Sequence, residues 1–215
     1  MEQPESIEQR PSSSSSILKE LQKNYLSIVF LVTCLIVFAV AQLSDPENVR
    51  FLAFDYDELP DRWWAFVTYG FVHVDWNHII VNMLVLVWLG VWVERLLTPF
   101  KYCIVVFVSI LAGSAALFVR KTAGIGFSAA AAGFIFYYNC AFPMERELVW
   151  KIPNITVPII VAVVSIGSII FGWFPGVGHW PHLTGGLAGL FFLAIFRKSH
   201  KSLEDDTPEL PTTSN

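Results

Sequence analysis

The sequence predicts an all-α membrane protein, a bundle of six transmembrane helices with both termini on the cytoplasmic side. Three observations predict it. Of 215 residues, 54% are hydrophobic and only 15% charged, and the charges gather in tails and loops rather than on every helix face, as the surface of a soluble domain would need. Six stretches approach the roughly 20 apolar residues that a bilayer core requires, at 25–43, 78–97, 100–119, 126–142, 155–174 and 180–196. The 14 Lys and Arg also divide unevenly: with both termini inside, the inner set is Arg10, Lys19, Lys23, Arg95, Lys101, Arg146, Lys151, Arg197, Lys198 and Lys201, against Arg50, Arg62, Arg120 and Lys121 outside. The net charge of −4 gives no support to nucleic-acid binding.

Residues 1–23 form a polar tail with Ser12 to Ser16 and Glu2, Glu5 and Glu8, expected to be mobile because no hydrophobic period lets burial offset its ordering entropy. No basic segment leads directly into a short apolar run and cleavage site, so the first span reads as a retained signal-anchor. The membrane domain is expected over 24–197. Its first outer loop, about 44–77, is rich in aromatics (among them Trp63, Trp64, Tyr69 and Trp76), which suits a segment lying in the membrane interface. The second span opens with His78 and Asn82, four residues apart and so on one helical face, and ends with Glu94 beside Arg95. Glu94 reads as a structural anchor near the inner interface rather than a catalyst.

Cys34, Cys103 and Cys140 lie within apolar spans without CxxC pairing, as packed free thiols. After the fifth span, Phe171, Trp173, Phe174 and Trp180 surround Gly172, Gly176 and Gly178, a combination of bulky plugs and flexible joints suited to a gate. Residues 198–215 form a second polar tail, also expected to be mobile.

Two polar residues in the fourth and sixth spans carry the functional argument. Ser128 heads the run Ser128 to Gly133, in the first turn of its helix, where unpaired backbone N–H groups and the helix dipole favour a developing oxyanion. Pro181 suits a first helical position, which puts His182 just inside the sixth span, where the dipole disfavours imidazolium and leaves a neutral base. The small residues Ala129 to Gly133, and Gly185 with Ala188 and Gly189, give both helices thin profiles for close approach. The bland readings are that Ser128 is one more small packing residue and that the histidines are structural, as His179 and His200 are expected to be. Zinc held by His73, His78, His179 and His182 is disfavoured, since there is no HExxH and no nearby carboxylate except Asp75.

The order His78xxxAsn82, Gly126-Phe127-Ser128, then His182 followed by Gly185 and Gly189, resembles the signature of the rhomboid family of intramembrane serine proteases, over roughly residues 62–196. The resemblance implies a catalytic pair of Ser128 and His182 with no Asp, and oxyanion donors at His78, Asn82 and the backbone N–H of Ser128. It also implies supporting roles for His73, Gly126, Gly185 and Gly189, beside the anchor role that its position gives Glu94. No metal or cofactor is implied. The partners would be transmembrane protein substrates and membrane lipid, and the location the cell membrane. The alternative is a rhomboid-like pseudoprotease that binds transmembrane clients without cutting them. The sequence departs from the family at Ala129, where a second glycine is usual, and at Ala132, where a tyrosine often stacks on the catalytic histidine. The expectation is that another aromatic fills the gap against His182, with Phe127 or Trp180 ahead of Phe134 and Phe136.

Overall fold

A computed structural model describes residues 24–45, 47–146 and 151–200. The expected mobile tail at 1–23, and residues 201–215 of the second tail, lie outside the described residues. Six principal helices follow in order: α1 (Tyr25–Leu43), α2 (Trp76–Leu96), α3 (Pro99–Arg120), α4 (Ser128–Ala141), α5 (Thr156–Phe171) and α6 (His179–Phe196). Short helical turns occupy the long loop between α1 and α2, and no strand occurs among the described residues. Helices α1, α2 and α3 are long and apolar enough to cross a membrane, and α5 is a shorter apolar helix.

The bundle is organised around α4. Ala129 through Phe134 are all buried, so this helix has no lipid face over that stretch. It packs chiefly against α6, and α6 packs in turn on α3. Glycine makes the α4–α6 contact possible. A Cβ at Gly185 would strike the Ala129 backbone, and one at Gly189 would strike that of Gly133. The two backbones touch at consecutive turns, the close approach that small residues permit where lipid supplies no hydrophobic drive for association. Ser109 on α3 adds a hydrogen bond from its hydroxyl to the Gly185 carbonyl at 3.3 Å. By contrast α5 leaves Ile159, Ile160, Val163, Ile166 and Ile170 exposed and is the loosely held member.

At the end of α2, Glu94 is 4% exposed and reaches across to the start of α1. Its carboxylate accepts the Leu26 N–H at 2.9 Å, the Ser27 N–H at 2.8 Å and the Ser27 hydroxyl, and that hydroxyl also lies 2.9 Å from the Tyr102 hydroxyl of α3. A carboxylate is thus placed against the unpaired N–H groups and positive dipole end of α1, which joins three helices at one corner.

At the opposite end, the long loop is tied to the segment that leads into α4. Phe54 and Gly124 exchange backbone hydrogen bonds at 3.1 and 2.9 Å, and Gly126 N–H donates to Tyr69 O at 2.9 Å. Past α6, the Lys101 ammonium donates to the Ser199 hydroxyl at 2.7 Å and the Tyr137 hydroxyl lies 2.8 Å from His200 Nε2.

Candidate active site

Ser128 is the first residue of α4, with Phe127 as its N-cap. The first intrahelical donor is Ala131 N–H, bonded to Phe127 O at 3.0 Å, so the N–H groups of Ser128, Ala129 and Ala130 have no acceptor within the helix. The turn before it depends on glycine. Gly126 sits at φ +107°, a region an L side chain rarely enters, and a Cβ there would collide with the His78 ring. His78 therefore lies directly against the backbone two residues before the serine.

His182 lies in the first turn of α6, although not by the expected route. The helix begins at His179, two residues ahead of Pro181, and His182 N–H bonds back to Gly178 O at 3.2 Å. Pro181 at the third position forfeits nothing, because the N–H it lacks has no partner in a first turn. Ser128, His182, His78 and Asn82 all line one cavity of about 850 Å³, which also reaches Asp75, Arg120 and residues 176–181. Ser128 and His182 are both partly exposed, and no hydrogen bond joins them.

His73 was expected only to support the site, and its contacts are specific. It is wholly buried, and its Nε2 accepts the Asn82 amide at 3.2 Å and the Phe127 N–H at 3.3 Å. Burial, with the neighbouring His78 ring, pushes the imidazole down to about 4, so it is neutral at physiological pH. A neutral ring with an acceptor at Nε2 carries its proton on Nδ1. His73 thereby fastens the start of α4 to α2. Asn82 gives its other amide hydrogen to His78 O at 3.0 Å. Both Asn82 donors are therefore engaged within the protein, whereas the oxyanion role that the resemblance implies for Asn82 needs one of them free. Asp75 caps α2 by accepting His78 N–H at 2.8 Å; an Asp just before an apolar run carries that signal in the sequence.

The two departures from the expected pattern differ in outcome. At Ala129 the extra methyl group is accommodated by a glycine on the neighbouring helix: a Cβ at Gly113 of α3 would sit 2.7 Å from the Ala129 Cβ. At Ala132 the expected aromatic replacement is not seen. Phe127 turns into the core against Phe30, Phe71 and Phe134, Phe134 stacks on Tyr102, Phe136 lies on Gly186, and Trp180 faces the Arg120 guanidinium at 5.7 Å. The ring beside His182 is instead His179, edge-on with centroids 6.0 Å apart. His179 is buried and its Nε2 lies 3.1 Å from Phe174 O. Sequence reading missed this neighbour because i and i+3 rings on one helix face need no motif to meet.

Of the segment nominated as a gate, residues 171–178 and Trp180 are exposed while His179 between them is buried, and Gly172 lies at φ +69° and Gly176 at φ +86°. Trp173 folds back so that its ring rests on Gly167 of α5.

Residues 60–199 match the Rhomboid domain family. Over 139 residues the chain is 29% identical to RHOMBOID-like protein 4 of Arabidopsis thaliana, covering 63% of this chain and 34% of that protein. Over 149 residues it is 28% identical to Rhomboid-type serine protease 2 of Emericella nidulans, covering 68% of this chain and 29% of that one. The matched region thus spans about a third of the length of these curated relatives. With the family match covering most of the helices from the long loop to the end of α6, this all-helical integral membrane protein belongs to the rhomboid family.

Proposed function

We propose that the chain is an intramembrane serine endopeptidase, hydrolysing peptide bonds in or near the transmembrane helices of other membrane proteins, with Ser128 as nucleophile and His182 as general base. The observation that carries this reading is the meeting of two helix N-termini at one cavity, with Ser128 from α4 and His182 from α6. Ser128 Oγ attacks the scissile carbonyl while His182 takes its proton, then returns it to the leaving amine, and a water repeats the sequence on the acyl-enzyme. The Ser128 N–H, without an intrahelical acceptor, and the His78 ring stabilise the oxyanion. In this reading Asn82 contributes a donor only once its amide leaves His73. Six membrane crossings with both termini inside, and the cell membrane as location, complete the proposal.

A second reading, a rhomboid-like protein that binds transmembrane clients without cutting them, is favoured by two observations: Ser128 and His182 are not hydrogen-bonded, and no aromatic side chain from the expected set packs on His182. A serine-directed fluorophosphonate separates the two readings. Labelling of the wild-type chain that is lost in Ser128→Ala supports the enzyme, and absence of labelling in membranes where the chain is folded supports the binder.

A further inference from the structure

Four cations, Arg50, Arg62, Arg120 and Lys121, lie on the long loop and at the end of α3, where the chain turns toward α4. Arg50 is paired with Glu47 at 3.3 Å and with Glu58 at 3.5 Å, and Arg62 is paired with Glu58. Lys121 lies over the Tyr56 ring. Arg120 has no carboxylate partner among the described residues, and it lines the Ser128 cavity. Nor is its side chain needed to close α3. Lys121, in the left-handed region at φ +52°, donates its N–H to Phe118 O, and Thr122 N–H donates to Leu117 O, both at 3.1 Å. Backbone groups therefore supply the cap, and the fold uses the Arg120 charge only as any helix C-terminus favours a cation.

The guanidinium has a fixed place on that cavity. Its carbon lies 5.7 Å from the centre of the Trp180 ring, two residues before His182, and the chain running from Arg120 to Ser128 lines the same cavity through residues 122–125. One cation is thus held against the start of α6, on the cavity that Ser128 and His182 share. A guanidinium over an indole uses its face and keeps its N–H donors in the plane, where they match the two oxygens of a carboxylate. The other charge on the cavity does not answer it. The Asp75 carboxylate is committed to the start of α2, accepting His78 N–H at 2.8 Å and lying 3.9 Å from His78 Nδ1. A polypeptide in the cavity therefore meets a cation whose donors have no acceptor within the described chain.

We propose that Arg120 selects clients with an acidic side chain next to the segment held at Ser128, its guanidinium binding the Asp or Glu carboxylate beside Trp180. The inference rests on the reading that this cavity receives a transmembrane client, whether or not the client is cut. The test uses the full chain in nanodiscs and a fluorescent single-span peptide whose apolar span ends in a polar stretch, made with Glu at each polar position in turn and with Gln as its neutral twin. For at least one position the Glu peptide should be cleaved with a kcat/KM about fivefold above that of its twin, the upper end for an exposed ion pair. Arg120→Gln should bring this ratio to about one, and Arg120→Glu should turn selection toward a Lys peptide. Arg120 is exposed, so neither change removes packing from the core, and each ratio is read within one variant, so any loss common to both peptides cancels. The ratio of Kd values is measured in parallel on Ser128→Ala, with and without the Arg120 changes. If no peptide is cleaved and fluorophosphonate leaves Ser128 unlabelled, the protease reading fails while the Kd ratio still decides this proposal. Equal handling of the Glu and Gln peptides at every position by the wild-type chain and by Ser128→Ala would overturn it, leaving Arg120 to the end of α3 or to a lipid phosphate. A Glu preference that persists in Arg120→Glu would overturn it too.

Discussion

Glu94 and His182 are both ionisable side chains within apolar helices, and the two ends of the bundle treat them differently. At one end every contact of the Glu94 carboxylate is with protein: two backbone N–H groups and a hydroxyl, in a corner closed by Tyr102. At the other end His182 stands partly exposed on a large cavity, with His179 at its edge and no hydrogen-bond partner for its ring among the described residues. An ionisable group inside a membrane protein is costly unless partnered or functional. Glu94 meets the first condition. His182 is left without such a partner, which points to function at its end of the bundle.

The largest expected effect breaks this contrast directly. Ser128→Ala and His182→Ala should each abolish cleavage of a transmembrane client while leaving the thermal unfolding midpoint of the purified protein unchanged. Wild-type turnover in Ser128→Ala would end the protease reading. Unfolding of either variant at ordinary temperature would mean that this end of the bundle is as structural as the Glu94 end.

The next effect separates two residues that share one helical face. His78 touches Gly126 beside the serine, whereas Asn82 is engaged with His73 and with the His78 carbonyl. His78→Ala should lower kcat by roughly 100- to 1000-fold, as loss of an oxyanion donor does, with little change in KM or in the unfolding midpoint. Asn82→Ala should lower the midpoint as well, because it releases His73 from α2. If both variants changed only KM, neither residue would be an oxyanion donor.

Much of this was legible in advance and some was not, for physical reasons. Hydropathy located all six helices to within a few residues, because runs of apolar residues ended by polar loops are a direct consequence of bilayer thickness. Start positions were less legible: α6 begins ahead of Pro181, since proline is tolerated anywhere in the first turn and so does not mark its first residue. The surroundings of His182 were least legible. Whether Phe127 turns toward the cavity or into the core depends on Phe30, Phe71 and Phe134, which come from other segments of the chain, and no local pattern in α4 records that competition. The compensation of Ala129 by Gly113 is of the same kind, a small residue whose partner lies on another helix.

The Glu94 end provides the third test. Glu94→Ala leaves the Leu26 and Ser27 N–H groups without an acceptor in a buried corner, a loss of about 3 kcal/mol by the scale of hydrogen bonds to charged groups. The unfolding midpoint should fall clearly, and the KM of whatever protein remains folded should hold. A selective fall in kcat at unchanged midpoint would assign Glu94 to the chemistry and remove the distinction between the two ends.

The smallest effect is a pH dependence, and it asks whether His73 belongs with Glu94 or with His182. Burial, helped by the nearby His78 ring, holds its imidazole at about 4, while the Phe71 backbone and Asp75 act in the opposite direction. The unfolded ring titrates near 6.5. Between these values the unfolded chain binds a proton that the folded chain does not, so stability is full above about 6.5 and falls as the pH is lowered toward about 4. His73→Gln keeps an acceptor for the Phe127 N–H and cannot titrate. Its unfolding midpoint should therefore decline less steeply than that of the wild type over this interval, with the two curves running parallel above pH 7. Parallel curves throughout would mean that the folded and unfolded rings titrate alike, and that His73 is not held neutral by the start of α4. A steeper wild-type decline would place His73 with Glu94, as a polar group committed to the fold beside the Ser128 cavity.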